Sequence, residues 1–196
     1  AASKTYKPTI REWMSSSWNG FKSPLELHKT TVSSEPTGVD EQELRRIGEQ
    51  LTTLPQTLTV HKGVERIMEA RHKAITSGQD IDMPTAESLA FATLLTEGFH
   101  VRVSGQDVER GTFSQRHAIL FDQSKDDSSY TPLCNVGRAK APFTICNSSL
   151  SEYGILGFEL GYSLVSPNQL VCWEAQFGDF CNTAQVIIDQ FIASQE

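Results

Sequence analysis

Hydrophobic residues in the first half of the chain recur at helical spacing. Between residues 44 and 51 they lie three or four positions apart, and this spacing predicts a short helix over residues 39–52. The same pattern predicts an amphipathic surface helix over residues 64–75. Serine, threonine, proline and charged residues dominate the first 56 positions, with only isolated aromatic residues among them. We therefore interpret residues 1–79 as a connector with short helices.

From Asp82 onward, helical patterns alternate with short apolar runs. Asp82 is suited to cap a helix that has Pro84 in its first turn and stops at Gly98. The runs FHVRVSG, FTICNSS and QLVCWEAQ predict strands, and the last two lead into helices over about 151–165 and 182–191. This alternation predicts an α/β domain over residues 80–196, with a largely parallel sheet flanked by helices.

A polar, glycine-punctuated loop, GQDVERGTFSQRH, follows the first predicted strand and leads to an apolar run at residues 118–121. Loops at the carboxyl ends of parallel strands are where such sheets bind ligands. The segment that follows, residues 122–140, is polar and without clear periodicity, so we expect it to be irregular.

Composition narrows the class of protein. A chain of 196 residues with 38% hydrophobic content can bury a sizeable core, so we expect a soluble globular protein. The net charge of -7 and the lack of a basic cluster argue against nucleic acid as a partner. No apolar run approaches the roughly 20 residues of a membrane span, so we expect no membrane insertion.

The four cysteines lack the paired spacing of zinc sites, and none has a histidine at ligand spacing, so we expect no metal ligands in this chain. We interpret them as reduced thiols of an intracellular protein. Two disulfides remain the alternative, because an even count permits them.

Taken alone, the candidate site residues each have a structural interpretation that we favour. A carboxylate at Glu152, in the first helical turn, stabilises the positive end of the helix dipole by roughly 0.3–1 kcal/mol without any catalytic role. Phe177 and Phe180 follow a strand, where aromatic side chains usually fill the core, and His117 fits a hydrogen-bonded loop histidine. Phosphate-loop, dinucleotide-binding, nucleophile-elbow and zinc-protease motifs are missing from the sequence.

Longer strings carry a more specific signal. The strings AESLAFATLLTEG, GQDVERGTFSQRHAIL, NSSLSEYGILGFELGYSL and WEAQFGDFCNTAQVIIDQFI occur in that order between about residue 80 and the end of the chain. In order and separation they resemble the thiamine-diphosphate-dependent first component of the 2-oxoglutarate dehydrogenase complex. The upstream strings REWMSSSWNGFKSP and VHKGVERIMEAR resemble the connector of fungal-type members. Related 2-oxoadipate and pyruvate enzymes share part of the pattern.

The resemblance implies a transketolase-like pyrimidine-binding domain, truncated at its C-terminal end. Glu152 matches the glutamate that shares a proton with the aminopyrimidine ring of thiamine diphosphate and so favours its imino tautomer. Phe177 and Phe180 match the aromatic residues that pack against this ring. Gln106, Asp107 and His117 belong to the loop expected to line the same site. Magnesium is expected with the diphosphate, on ligands in a domain that this chain does not contain.

In the family, this domain takes part in oxidative decarboxylation of 2-oxoglutarate and succinyl transfer to a lipoyl group, a step of the tricarboxylic acid cycle. The implied partners are a second subunit or a complementary thiamine domain, and the lipoyl-bearing succinyltransferase component. The implied location is the mitochondrial matrix. Because the diphosphate motif is missing, we expect the chain to be inactive alone, as a fragment, a subunit or a processed product. The alternative is a non-catalytic relative that serves as a dimerisation or scaffold module, with the face formed by Gly154, Gly157 and Gly161 as a subunit contact.

Overall fold

Three helices precede the sheet in the computed structural model, which describes residues 36–194. Their bounds are Glu41–Thr52 (α1), Lys62–Ser77 (α2) and Met83–Glu97 (α3). At the start of α3, Asp82 Oδ1 accepts a hydrogen bond of 2.9 Å from the amide of Thr85. At its end, Gly98 has a φ of 104°, a left-handed conformation that only glycine adopts at little cost. All three predicted helices are confirmed. The first 35 residues of the predicted connector lie outside the described part, and the predicted boundary at residue 80 stays a prediction.

Three parallel strands form the central sheet. They are His100–Gly105 (β1), Phe143–Asn147 (β4) and Gln169–Glu174 (β5), and the short strands Leu120–Phe121 (β2) and Ser129–Tyr130 (β3) form a separate pair. The order in the sheet is β4-β1-β5, with β1 in the middle. Gly105 pairs with Asn147 on one side and Glu174 on the other, so the three carboxyl ends meet at one edge. This confirms the predicted parallel sheet.

The backbones of β1 and β5 lie very close together at this edge. A Cβ atom added to Gly105 would lie 2.2 Å from the carbonyl oxygen of Glu174. Any larger residue would push β1 and β5 apart at their carboxyl ends. The glycine therefore keeps the two loops that follow these strands close together.

The segment 122–140 was predicted to be irregular, and this is only partly correct. Its residues Ser129–Tyr130 pair antiparallel with Leu120–Phe121, and Pro132–Asn135 form a 3-10 turn. Leu133 and Val136 are buried and anchor the segment to the core. These elements could not be predicted from the sequence, because two-residue strands and single turns contain too few apolar positions to show a period.

The final helix, predicted over 182–191, is also different from the prediction. A 3-10 helix over Gly178–Ala184 leads into one α-helical turn at Gln185–Ile187 (α5), and a π-helical turn follows at Ile188–Ile192. Three consecutive β-branched residues, 186–188, crowd the preceding turn and lower the helix propensity of this stretch. The preceding helix, Glu152–Ser163 (α4), is confirmed, and its Gly157 faces Ile187 of α5.

The core lies between β1 and the helices α1–α3. Residues from Gly38 onward form one compact unit. Its largest fully buried side chains include Ile47, Leu95, Val101 and Val108, contributed by α1, α3, β1 and the loop after β1. The four cysteines form no disulfide in the structure. Within residues 36–194, every helix is too short or too polar to cross a bilayer.

A buried ion pair fixes α4 on the sheet. Arg102 on β1 donates from Nε and Nη2 to the two carboxylate oxygens of Glu159, both at 2.8 Å. The Arg102 guanidinium also lies 4.7 Å from the centre of the Tyr162 ring. Hydrogen bonding to Glu159 raises the pKa of Arg102, so the guanidinium stays charged across the physiological range.

Breaking this pair should destabilise the protein strongly. In Glu159→Gln the partly buried Arg102 loses its counter-charge, and we expect a loss of about 3–5 kcal/mol in the free energy of unfolding, measured with urea. Glu97→Gln, at an exposed position at the end of α3, should change it by less than about 0.5 kcal/mol. Equal losses in both variants would show that the ion pair does not hold α4.

Candidate functional site at the sheet edge

The residues that follow the three parallel strands gather at one edge. Gln106 and Asp107 come directly after β1, Glu152 opens the helix after β4, and Phe177 follows β5. Because the carboxyl ends of the strands lie side by side, these side chains come from distant parts of the sequence to one surface.

A hydroxyl group links Glu152 to the aromatic pair. Thr183 Oγ1 lies 3.0 Å from Glu152 Oε2 and 2.7 Å from the carbonyl oxygen of Phe180. A hydroxyl has one proton to donate, so the two acceptors share it. Glu152 thereby stands beside Phe180 with its carboxylate still partly exposed and with acceptor capacity left for a ligand.

Three aromatic rings form a row beside this carboxylate. The Phe177 and Phe180 ring centres are 5.7 Å apart and nearly perpendicular, and Phe113 packs edge-on against Phe177 at 5.8 Å. Phe177 and Phe180 are 40% and 43% exposed, too open for core residues. They present apolar surface to the outside, and the backbone carbonyl of Phe180 is joined to Glu152 through Thr183.

The loop after β1 is tied to this row. Gln176 Nε2 donates to Asp107 Oδ2 at 3.1 Å, directly before Phe177. On the other side, Glu109 and Asn147 exchange hydrogen bonds between their backbone amides and side-chain oxygens. Asp107 has a positive φ of 56°, which non-glycine residues rarely adopt and which is common at functional loops.

A buried arginine joins the loop, α3 and β5. Arg116 is 5% exposed and makes two-pronged hydrogen bonds to Glu87 on α3 and to Glu174 at the end of β5. Its Nη1 also donates to the carbonyl oxygen of Val108 at 2.9 Å. Burial opposes the charge of Arg116, but the hydrogen bonds to Glu174 and Glu87 outweigh it and raise its pKa. Through Glu174, this network fixes the position of the backbone two residues before Gln176.

His117 lies apart from the aromatic row. Its φ is 48°, and it borders a cavity of about 330 Å³ that Asp107, Arg110 and Asn147 also line. Burial, with the positive charges of Arg71 and Arg110, lowers the pKa of His117, so its ring is neutral at physiological pH. Of the six predicted site residues, the structure thus gathers five at the strand ends and places His117 at the adjoining cavity.

Two further residues of the candidate site, Thr183 and Phe113, could not be predicted from the sequence. Thr183 falls in a segment predicted to be helical, and Phe113 is one aromatic residue in a polar loop, so neither had a periodic signal. Within residues 36–194 no group of three or more histidine, cysteine, aspartate or glutamate side chains is placed to hold a metal ion. What the site offers is one carboxylate beside an exposed aromatic wall, and this suits an uncharged heteroaromatic ring with a basic nitrogen.

Comparison with known protein families shows which family the chain belongs to. The model of the pyrimidine-binding domain of transketolase matches residues 63–196. The chain belongs to this pyrimidine-binding domain family. The α/β fold predicted from the resemblance is confirmed, with the strand ends of the domain carrying the candidate site.

Curated relatives of this pyrimidine-binding domain are similar over almost its whole length. It is 60% identical over 195 residues to the mitochondrial 2-oxoglutarate dehydrogenase of Schizosaccharomyces pombe, covering 100% of this chain and 19% of the relative. The corresponding enzyme of Saccharomyces cerevisiae is 58% identical, with 98% of this chain and 19% of the relative covered. The one of Dictyostelium discoideum is 50% identical, with 96% and 19% covered. The chain thus spans about a fifth of these relatives, and its predicted likeness to this enzyme, including fungal members, is confirmed.

Removing the shared cation should make the stability of the domain depend on pH in a defined direction. In Arg116→Met, the carboxylates of Glu87 and Glu174 lose the cation between them and repel each other. The repulsion acts only while both groups are charged, so the loss of stability relative to the original chain is small in acid and grows as the pH rises toward 7.

Urea unfolding of Arg116→Met from about pH 4 to pH 7 measures this, and the deficit relative to the original chain should grow with pH. The triple variant Arg116→Met/Glu87→Gln/Glu174→Gln should show no such growth. A deficit that is constant with pH would mean that the two carboxylates do not interact through Arg116.

Proposed function

We propose that this chain supplies the pyrimidine half of the thiamine-diphosphate site of a mitochondrial 2-oxoglutarate dehydrogenase. The observation that carries the proposal is the contact chain from Glu152 through Thr183 to Phe180, in a domain 60% identical to such an enzyme. It gathers a carboxylate and two open aromatic rings at the edge where parallel sheets bind ligands.

Glu152 is the proposed catalytic residue. Its carboxylate accepts a hydrogen bond from Thr183 on Oε2, which orients the group while leaving it partly exposed. A carboxylate in this position can hold a proton against a nitrogen of the aminopyrimidine ring. Sharing this proton favours the imino tautomer, and the tautomer determines whether the exocyclic nitrogen can act as a base.

Phe177 and Phe180 are proposed to bind the ring. Their edge-to-face contact fixes the angle between them, and their exposed surfaces are apolar. A flat ring that covers them would gain buried apolar area and exclude water from the reacting atoms. Gln106, Asp107 and His117 are proposed to line the approach, Asp107 through its contact with Gln176.

When bound, thiamine diphosphate supplies the electron sink for decarboxylation of a 2-oxo acid. We propose 2-oxoglutarate as the substrate, a lipoyl group of the succinyltransferase component as the acceptor of the succinyl unit, and the mitochondrial matrix as the location. The diphosphate and Mg²⁺ are proposed to bind to a complementary thiamine domain, from a second subunit or from another part of a longer chain.

A chimera tests the proposal in a complete enzyme. This chain replaces the corresponding segment of the Schizosaccharomyces pombe 2-oxoglutarate dehydrogenase, and ferricyanide reduction with 2-oxoglutarate is measured. We expect activity in the chimera and a loss of about 10²–10⁴-fold in Glu152→Gln, because the amide cannot accept the proton. Glu65→Gln is the matched control, since Glu65 is also a first-turn acid, on α2, and should leave activity unchanged.

The outcomes separate the two candidate functions. Equal activity of Glu152→Gln and Glu65→Gln would refute the role of Glu152. A chimera that folds and dimerises but lacks 2-oxoglutarate turnover would favour the non-catalytic scaffold over the enzyme.

A further inference from the structure

Two buried polar atoms without a hydrogen-bond partner line one small cavity. They are Nε of Arg71 on α2 and Nε2 of His117 in the loop after β1. Both residues border a cavity of about 30 Å³ between α1, α2, α3 and the loop. Buried polar atoms are nearly always paired, so two orphans at one cavity indicate a missing partner.

Of the two unpaired residues, Arg71 gives the stronger evidence for a missing partner, because its side chain is charged. Arg71 is 7% exposed, and its Nη2 donates to the carbonyl oxygen of Gln115 at 2.6 Å. Across residues 36–194 no carboxylate is in ion-pair contact with it. Burial lowers the pKa of Arg71, and the more distant carboxylates of Asp82 and Glu87 only partly offset this. A buried cation of this kind lacks a negative charge nearby.

The cavity sets the size of the missing partner. A space of about 30 Å³ holds one water molecule or one ion of similar size, since a water needs on the order of 10–15 Å³ on this measure. The hydroxyl of Ser88 already donates to the carbonyl oxygen of Pro84, so it is not a free donor. Most of the remaining wall is apolar, formed by Leu51, Met68, Ile75, Ala118, Pro132 and Leu133. Polyatomic anions such as phosphate would exceed this space.

We propose that the cavity binds one monatomic monovalent anion of the size of chloride, held between the N–H of Arg71 Nε and the N–H of His117 Nε2, with the ring proton of His117 on that nitrogen. A water molecule would satisfy the hydrogen bonds but would leave the charge of Arg71 uncompensated. Arg71 on α2 and Arg110 on its own loop bring positive charge to His117, and Asp107 and Glu109 face it across the larger cavity. Among the described residues, the small cavity is lined by Arg71 and by no carboxylate, so the anion meets positive charge there.

Anion binding in the small cavity would also affect the sheet edge, through His117. His117 also lines the cavity of about 330 Å³ together with Asp107 and Asn147. Occupation of the small cavity would fix one wall of the larger one. The inference does not depend on the proposed function, because it requires only Arg71, His117 and the space between them.

Chloride NMR tests the proposal on the whole chain. The ³⁵Cl line of a chloride solution should broaden in the presence of the protein, and bromide should displace the bound chloride and reverse the broadening. Arg71→Met should lose this excess broadening, whereas Arg66→Met, an exposed arginine on the same helix, should retain it. No excess broadening in the original chain would overturn the proposal.

Thermal unfolding provides a second readout that does not depend on direct detection. At constant ionic strength, replacing gluconate with chloride should raise the melting temperature by roughly 3–6 °C once chloride is tenfold above its dissociation constant. His117→Gln should reduce the shift and Arg71→Met should abolish it. The same shift in Arg71→Met and Arg66→Met would show a general salt effect and contradict the site.

Discussion

The guanidinium of Arg116 is buried between two carboxylates, Glu87 on α3 and Glu174 at the end of β5. Its burial would be costly without both partners, so the loop, the helix and the strand end are tied to one geometry. Gln176 and Phe177 lie two and three residues after Glu174, and Asp107 of the same loop binds Gln176. The aromatic row therefore depends on a charge network that itself contacts none of the rings.

A second ion pair orients the other half of the site. Glu159 lies seven residues after Glu152, almost two helical turns, so the two side chains project from nearly the same face of α4. The pairing of Glu159 with Arg102 turns that face toward the sheet, and Glu152 at the N-terminal end then reaches the strand ends. Both arginines thus position a site residue at a distance.

The sequence predicted the elements with strong local signals and missed those that depend on tertiary contacts. The cap at Asp82, the stop at Gly98 and the apolar runs of β1, β4 and β5 sufficed to predict an α/β domain with a parallel sheet. The hairpin of β2 and β3 was missed, because its two-residue strands are stabilised by pairing across the chain. The last helix was predicted as continuous, whereas its β-branched residues and the contact between Thr183 and Glu152 accompany a change to 3-10 and π turns.

The candidate site was proposed from the sequence only through the family resemblance. From the residues alone, Glu152 was a first-turn acid and Phe177 and Phe180 were core residues, but their exposure and the contact through Thr183 now argue for a binding surface. Arg116 gave no signal, since the carboxylates that it joins are 29 and 58 positions away. Contacts at such separations are set by the fold and cannot be inferred from local spacing.

Glu152, Phe177 and Phe180 are proposed to form one surface for a pyrimidine ring. The most direct test is to add 4-amino-5-hydroxymethyl-2-methylpyrimidine to the isotope-labelled chain and measure intermolecular nuclear Overhauser effects. We expect contacts from the ligand to the Phe177 and Phe180 ring protons, which weaken in Glu152→Gln. Contacts confined to other aromatic rings, such as Phe158 on α4, or no contacts at all would contradict the account.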